Sequence, residues 1–161
     1  NLSSKIGAQP ILFNAVEKTN KQQISNIMEL IKHNIGKIKG KKITVLGVAF
    51  KPNTDDIRDS TSIELIRRLI KSGAIVTIHD PKALGNARKI FHDNAKYANS
   101  ILSALKNCQC AVIMTKWKEY EKINNKTIEQ MNKKFIIDTR RILSNKNLDA
   151  KYYAIGLGQK I

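Results

Sequence analysis

The chain has 161 residues, of which 42% are hydrophobic, and its 29 lysines and arginines against 13 aspartates and glutamates give a net charge of +16. This length suits one domain with an accessory segment. No stretch approaches the roughly 20 apolar residues of a membrane-spanning helix, so we expect no membrane partner and a cytoplasmic protein. The lysines are spread along the whole chain, which favours a solvated basic surface over specific nucleic-acid binding.

The amino-terminal part is predicted to be a long amphipathic helix. The chain begins with Asn1 rather than methionine, without a hydrophobic signal region, so we expect it to belong to a longer polypeptide. In residues 13–35, apolar side chains recur at steps of three and four, and Gly36 suits the left-handed end of a helix. We therefore divide the chain into residues 1–40, a helix with its connector, and residues 41–161, an α/β domain.

A β-α-β unit follows the helix. Residues 43–50 are β-branched and almost wholly apolar, as expected of a central strand that is buried on both faces. The next helix is predicted to start at Thr61 with a capping box formed with Glu64, and to end at Gly73. Residues 74–79 form a second strand that ends where Asp80 is followed by proline. The two strands should be parallel, with a right-handed crossover.

Strands and helices continue to alternate through the rest of the chain. Helices are predicted for residues 83–91, for residues 101–105 and near Ile128, and strands for residues 110–115, 135–138 and 152–155. This alternation indicates a doubly wound, Rossmann-like α/β domain with a mainly parallel sheet, preceded by the long amphipathic helix.

The two cysteines are predicted to be buried thiols. Cys108 and Cys110 are two positions apart in an apolar segment, so their side chains share one face and lie too close along the backbone for a relaxed disulfide. A metal site is not expected, because no second cysteine pair accompanies them and the three histidines are scattered.

Two loops carry the candidate functional residues. In an open α/β sheet the ligand binds beyond the carboxyl ends of the strands. Residues 47–60, after the first strand, contain two cations and three acids, and residues 138–141 place Arg140 and Arg141 after a later strand. Gly47 and Asp80 mimic part of a dinucleotide fingerprint, but two of its three glycines are missing and the loop is too long. This domain alone is therefore not expected to bind NAD in the usual way.

The motifs in these loops resemble those of a known family. The sequence GVAFKPNTDDIRDS at residues 47–60, with Leu69, the Gly-Ala at residues 73–74 and the His-Asp-Pro at residues 79–81, resembles the carboxy-terminal domain of the UDP-glucose/GDP-mannose dehydrogenase family, nearest its UDP-glucose branch. Residues 115–117 resemble the family's Thr-Glu-Trp motif, and residues 138–141 resemble its Asp-X-Arg turn. Residues 15–23 are similar to the end of the helix that joins the family's two Rossmann-like domains and builds its dimer.

This resemblance implies an activity and a set of site residues. The family oxidises the C6 alcohol of a nucleotide sugar to a carboxylate, using NAD, two hydride transfers and a cysteine-bound intermediate. By resemblance, Phe50 and Lys51 contact the UDP-sugar substrate, Arg140 grips the nucleotide sugar, and Arg58 reaches towards NAD held by the amino-terminal domain. A planar guanidinium can meet a pyrophosphate with two parallel hydrogen bonds, and lysine supplies a compact cation.

The chain also departs from the family pattern. The family's nucleophilic cysteine lies upstream of the joining helix, and neither Cys108 nor Cys110 matches it. No catalytic residue is therefore predicted here, and the chain alone is expected to be inactive. Lys116 replaces the glutamate of the Thr-Glu-Trp motif, a change that we expect to be exposed, while Trp117 should line the core or a pocket wall.

Three alternatives remain open at this point. The sugar nucleotide could be a UDP-N-acetylhexosamine or GDP-mannose rather than UDP-glucose. Lys51 and Arg58 could simply pair with the loop's aspartates, an exposed arrangement that contributes little stability. The net charge could also belong to a basic nucleotide-binding or nucleic-acid-binding module.

Overall fold

One six-stranded sheet forms the centre of the molecule. The computed structural model describes residues 11–155, apart from the side chains of residues 11–18 and 21. Within this part the strands are β1 (Lys42–Leu46), β2 (Ile75–His79), β3 (Lys96–Tyr97), β4 (Cys110–Ile113), β5 (Phe135–Asp138) and β6 (Lys151–Ala154). All neighbouring strands are parallel, in the order β3-β2-β1-β4-β5-β6. This confirms the predicted doubly wound α/β fold.

Helices connect the strands. They are α1 (Ile11–Ile35), α2 (Thr61–Lys71), α3 (Leu84–Phe91), α4 (Ile101–Leu105) and α5 (Asn125–Ile128), with short 3₁₀ turns at His92–Asn94 and Lys118–Lys122. The carboxyl half of α1 contacts α2 and buries Ile24, Ile27 and Ile31 in the common core. Phe13 and Val16 are also expected on the apolar face of this helix, but their side chains lie outside the described residues. None of the described helices is both long and apolar enough to cross a membrane.

The central strands are buried because their side chains are apolar on both faces. Every residue of β4 and β5 is buried, as are the residues of β1 after Lys42. Thr44 is a polar exception in the middle of β1, and its hydroxyl donates a 2.6 Å hydrogen bond to the carbonyl of Ala104. The bond satisfies a hydroxyl group that would otherwise be unpaired in the core.

The structure departs from the sequence predictions in a strand end, a helix cap and a short strand. Strand β1 ends at Leu46 rather than Phe50, because Gly47 turns the backbone with φ of +92°. The predicted capping box of α2 is wrong: Ser60 is the N-cap without a side-chain cap bond, and the Glu64 carboxylate lies 2.7 Å from Nε of Arg68. Strand β3 was not predicted, since two residues carry no recognisable alternation.

Both cysteines are free and buried, as predicted. Cys110 opens β4, whereas Cys108 lies just before the strand rather than in it. Burial raises the pKa of Cys108 to about 11 and raises the pKa of Cys110 well above its ordinary value. Among the described residues, no group of three His, Cys, Asp or Glu side chains is placed to hold a metal ion.

Candidate functional site

The candidate site lies where the strand order reverses. Strand β1 has β2 on one side and β4 on the other, and the connections that leave β1 and β4 diverge from this point. Such a divergence opens a crevice at the carboxyl edge of the sheet. Residues 47–60 follow β1, residues 114–117 follow β4, and residues 139–142 follow β5. The two loops singled out in the sequence are therefore brought to the same edge of the sheet.

Gly47 packs the first loop directly against the end of β4. Its N–H donates a 2.8 Å hydrogen bond to the carbonyl of His79. A Cβ atom at this position would lie 2.6 Å from Cβ and 2.7 Å from the backbone nitrogen of Thr115. Only glycine fits this approach, and its positive φ is also one that other residues rarely adopt.

The backbone after Gly47 is held by two buried side chains. The carboxylate of Asp80, which is 2% exposed, accepts the N–H groups of Val48 at 2.8 Å and Ala49 at 3.0 Å. The hydroxyl of Thr115 donates to the carbonyl of Ala49 at 2.7 Å. The buried indole of Trp117 donates to the same Asp80 oxygen at 3.1 Å, which confirms a core position for this residue.

Phe50 and Lys51 project from the end of this held segment. The N–H of Phe50 donates to the carbonyl of Asp56 at 2.8 Å, which closes the loop on itself. The ring of Phe50 is nevertheless exposed, with a relative accessibility of 56%. Lys51 is also exposed and forms no ion pair with the described residues. An apolar ring and a free cation thus stand side by side at the sheet edge.

Arg58 is engaged with a carboxylate of its own loop. Its Nη2 lies 2.7 Å from Asp56, and its Nε donates to the same carboxylate, although the Arg58 side chain is 86% exposed. Hydrogen bonds from the Arg58 side chain and backbone lower the pKa of Asp56 to about 2. The ion pairing considered as an alternative is therefore present for Arg58, and Asp56 also shapes the loop through the Arg58 N–H.

The turn after β5 fixes Arg140. Buried Asp138 accepts the N–H of Arg140 with one carboxylate oxygen, and the N–H of Leu143 and the hydroxyl of Tyr152 with the other, each at 2.9 Å. The Nε of Arg140 donates to the carbonyl of Met114 at 2.7 Å. Its two terminal nitrogens have no hydrogen-bond partner in the described part of the chain, so they are free to meet a ligand.

Residues 44–145 match the UDP binding domain of the UDP-glucose/GDP-mannose dehydrogenase family. The chain belongs to this family. Over 90% of its length it is 38% identical to a UDP-glucose 6-dehydrogenase of Rickettsia felis, and over 87% it is 37% identical to one of Haloferax volcanii. The structure of a UDP-glucose dehydrogenase from Pyrobaculum islandicum superimposes with a TM-score of 0.80 at 29% identity, over 94% of this chain and 34% of that one.

The chain spans about a third of the length of these dehydrogenase relatives, 34% and 32% for the two sequences. The family match runs from β1 through the turn that carries Arg140, so it includes both candidate loops. The family resemblance inferred from residues 47–60 and from residues 138–141 is therefore confirmed for the part of the chain that contains them.

Residues 114–115 stand between the two loops of this family domain. The carbonyl of Met114 holds Arg140, and the hydroxyl of Thr115 holds the segment that leads to Phe50. Sequence reasoning missed the roles of Thr115, Asp80 and Asp138 in holding the loops. The available signal was their position, since each polar residue directly follows or ends an apolar strand.

The loop after β1 does not fit the pyrophosphate of a dinucleotide. A dinucleotide fold uses free backbone N–H groups at this turn and at the start of the next helix. Here the N–H groups of Gly47, Val48 and Ala49 already have acceptors inside the protein. The two thiols are equally unsuited to nucleophilic attack, because burial raises the pKa of both. The geometry suits recognition of an anionic ligand.

Proposed function

We propose that this chain is the substrate-binding, carboxy-terminal portion of an NAD-dependent UDP-glucose 6-dehydrogenase, which oxidises the sugar C6 alcohol to a carboxylate in two hydride transfers. The observation that carries this proposal is the placement of Lys51 and Arg140 on two loops at the same carboxyl edge of the sheet, beside the reversal of strand order. The names of the relatives at 37–38% identity favour UDP-glucose as the sugar nucleotide.

Arg140 is proposed to bind the pyrophosphate. Its Nε is occupied by the Met114 carbonyl, which fixes the plane of the guanidinium. The two terminal nitrogens can then donate parallel hydrogen bonds to phosphate oxygens, a geometry that lysine cannot reproduce. The hydrogen bonds of Asp138 to the turn support this role, because they hold the Arg140 backbone in place before a ligand arrives.

Phe50 and Lys51 are proposed to contact the nucleotide sugar. The exposed ring of Phe50 offers an apolar surface that a bound ligand would cover. Lys51 places a compact cation beside it, suited to an oxygen on which negative charge develops during oxidation. Their neighbouring positions on a backbone with satisfied hydrogen bonds support a shared role.

Arg58 is proposed to reach towards NAD held by a separate amino-terminal domain. Its high exposure, and an Nη1 that has no hydrogen-bond partner within the described part of residues 11–155, leave it able to contact a second group while Asp56 orients the rest of the guanidinium. The dinucleotide domain, the nucleophilic cysteine and a dimer built on α1 are proposed from the family. We also propose a division of the chain into two parts at residue 40 and a cytoplasmic location.

Calorimetry with UDP, UDP-glucose and UDP-xylose tests the site in the full chain, meaning the longer polypeptide to which residues 1–161 are proposed to belong. Lys51→Ala and Arg140→Ala should each weaken binding by about tenfold or more, since a charge-assisted hydrogen bond contributes roughly 1.5–3 kcal/mol. Two variants serve as controls. Arg141→Ala removes the exposed cation next to Arg140 in the chain, and Lys126→Ala removes an exposed cation on α5. Equal effects of the site and control variants would exclude the assignment. UDP-N-acetylglucosamine and GDP-mannose, tested alongside, distinguish the sugar.

A second measurement addresses the reaction. The full chain should reduce NAD when supplied with UDP-glucose, whereas residues 1–161 alone should give no NADH at any concentration. Reduction by residues 1–161 alone would overturn the proposal that the dinucleotide site and the cysteine lie outside them.

A further inference from the structure

Thr115, Trp117 and Asp80 form a buried brace, defined by their contacts: Asp80 and Thr115 bind the backbone of Val48 and Ala49, and Trp117 donates to Asp80. We propose that this brace positions Phe50 and Lys51 for the substrate. Thr115, which follows β4, and Asp80, which follows β2, act as the positioning residues. The inference rests on the proposed function, because it assigns the support of the substrate contacts named there.

The backbone between β1 and Phe50 is held by hydrogen bonds from outside its own strand. Beyond Gly47, whose N–H still donates to the carbonyl of His79 in β2, this segment has left the sheet and strand pairing does not hold it. Instead, the N–H groups of Val48 and Ala49 are bound by Asp80, the carbonyl of Ala49 by Thr115, and the N–H of Phe50 by the Asp56 carbonyl. The backbone is thus constrained up to the residue before Lys51, while the side chains of Phe50 and Lys51 are exposed.

The brace comes from the two strands that flank β1. Asp80 follows β2, whereas Thr115 and Trp117 follow β4, so the loop of β1 is tied to both of its neighbouring strands. Residues 114–115 also link to Arg140 through the Met114 carbonyl. The brace therefore sets the position of Lys51 relative to Arg140, which is the geometry that a bound pyrophosphate and sugar would sense.

The carboxylate of Asp80 accepts hydrogen bonds on both of its oxygens. One oxygen accepts the N–H groups of Val48 and Ala49 and the indole N–H of Trp117, and the other accepts the N–H groups of Lys82 and Ala83. A carboxylate is an acceptor on both oxygens, so it satisfies all five donors. An asparagine would turn an NH₂ group towards donors on one side.

The test compares two buried threonines that make the same kind of hydrogen bond at different places in the fold. Thr115 and Thr44 are both buried, and each hydroxyl donates to the carbonyl of an alanine, Ala49 and Ala104 respectively. Thr115→Val in the full chain should raise the Kd for UDP-glucose about fivefold, the factor that one net hydrogen bond represents. Thr44→Val should destabilise the fold by a similar free energy, seen as a lower melting temperature, and leave the Kd unchanged. Thr115→Ser, which retains the hydroxyl, should restore wild-type affinity.

A double-mutant cycle shows whether Thr115 acts through the loop. In a Lys51→Ala background, Thr115→Val should raise the Kd by a smaller factor than it does in the wild type, because the contact that it positions has already been removed. Equal factors in the two backgrounds would overturn the inference. Trp117→Phe, which removes the indole donor from Asp80, is the second variant if Thr115→Val does not fold, and it should show the same dependence on Lys51.

The outcomes separate this inference from the proposed function. If Lys51→Ala weakens binding and Thr115→Val behaves like Thr44→Val, the brace has a structural role only and the inference is wrong while the proposed function stands. If the wild-type full chain binds no UDP-sugar, or Lys51→Ala binds as tightly as the wild type, the proposed site fails and the inference fails with it.

Discussion

At Gly47 the backbone approaches Thr115 so closely that a methyl group has no room. Gly47→Ala should lower the free energy of unfolding by about 3 kcal/mol, because overpacking against a backbone nitrogen adds to the strain of a positive φ. Gly36→Ala is the matched control: its φ is +76°, but no atom lies within 4 Å of the added Cβ. That change should cost roughly 1 kcal/mol. Urea denaturation of both variants measures the difference, and equal losses would contradict the packing argument.

The ion pair of Asp56 with Arg58 makes a prediction that nuclear magnetic resonance can check. Asp56 has a pKa of about 2 because Arg58 donates hydrogen bonds to its carboxylate. Arg58→Ala should therefore raise the pKa of Asp56 towards about 4, the ordinary value for aspartate. A carboxyl ¹³C titration of wild type and variant gives the two values. An unchanged pKa would mean that Arg58 does not occupy this position in solution.

Two serines at helix starts give a prediction at the scale of elements. Ser100 caps α4 through its hydroxyl, which accepts the N–H of Ser103, and the Ser103 hydroxyl in turn meets the Ser100 N–H. Ser100→Ala should lower the free energy of unfolding by about 1 kcal/mol. Ser60→Ala should cost less, because Ser60 holds the N-cap position of α2 without a side-chain cap bond. Chemical denaturation compares the two, and a larger loss at Ser60 would contradict the assignment.

Strands with apolar side chains on both faces could be predicted from the sequence. The runs at residues 43–46, 110–113 and 135–137 are apolar or β-branched because these strands are covered on both sides of the sheet. The candidate loops followed from the same strands, since ligand sites in this fold lie beyond the carboxyl ends. Phe50, Lys51 and Arg140 are therefore placed on the expected edge by topology, while their contacts with substrate stay predictions.

The remaining features depend on contacts between residues that are far apart in the chain. Strand β1 ends early because Gly47 meets Thr115, a contact that no local pattern contains. The capping box predicted at Thr61 does not form, because Glu64 pairs with Arg68 one helical turn later. The sequence alone favours neither of these two partners for Glu64. Asp80 was interpreted as the end of a strand, whereas its five donors come from three separate loop segments.

At the scale of the whole molecule, buried His79 should make stability depend on pH. Burial lowers the pKa of His79, against the smaller opposing effects of Asp80 and Glu119. The folded state therefore resists protonation of His79. The contribution of neutral His79 to stability is complete above the unfolded pKa of about 6.5 and is lost as the pH falls below it. The free energy of unfolding should decrease between pH 7 and 5.5.

Variants of two histidines test the source of this pH dependence. His79→Asn should remove the decrease, whereas His92→Asn should retain it because His92 is exposed. Urea denaturation at several pH values provides the measurement. A decrease that survives in the His79 variant would assign the effect to other groups.

The two-residue strand β3 also affects how the molecule behaves in a crowded solution. It forms one edge of the sheet, and it pairs with β2 at Lys96 and Tyr97 alone. A long, flat edge strand offers a row of unpaired backbone groups on which another chain can assemble, whereas a short edge with a lysine discourages such growth. The solvent-exposed Lys96 on this strand adds a charge that a second strand would have to desolvate. The shortness that hid β3 from prediction thus protects the sheet from aggregation at that edge.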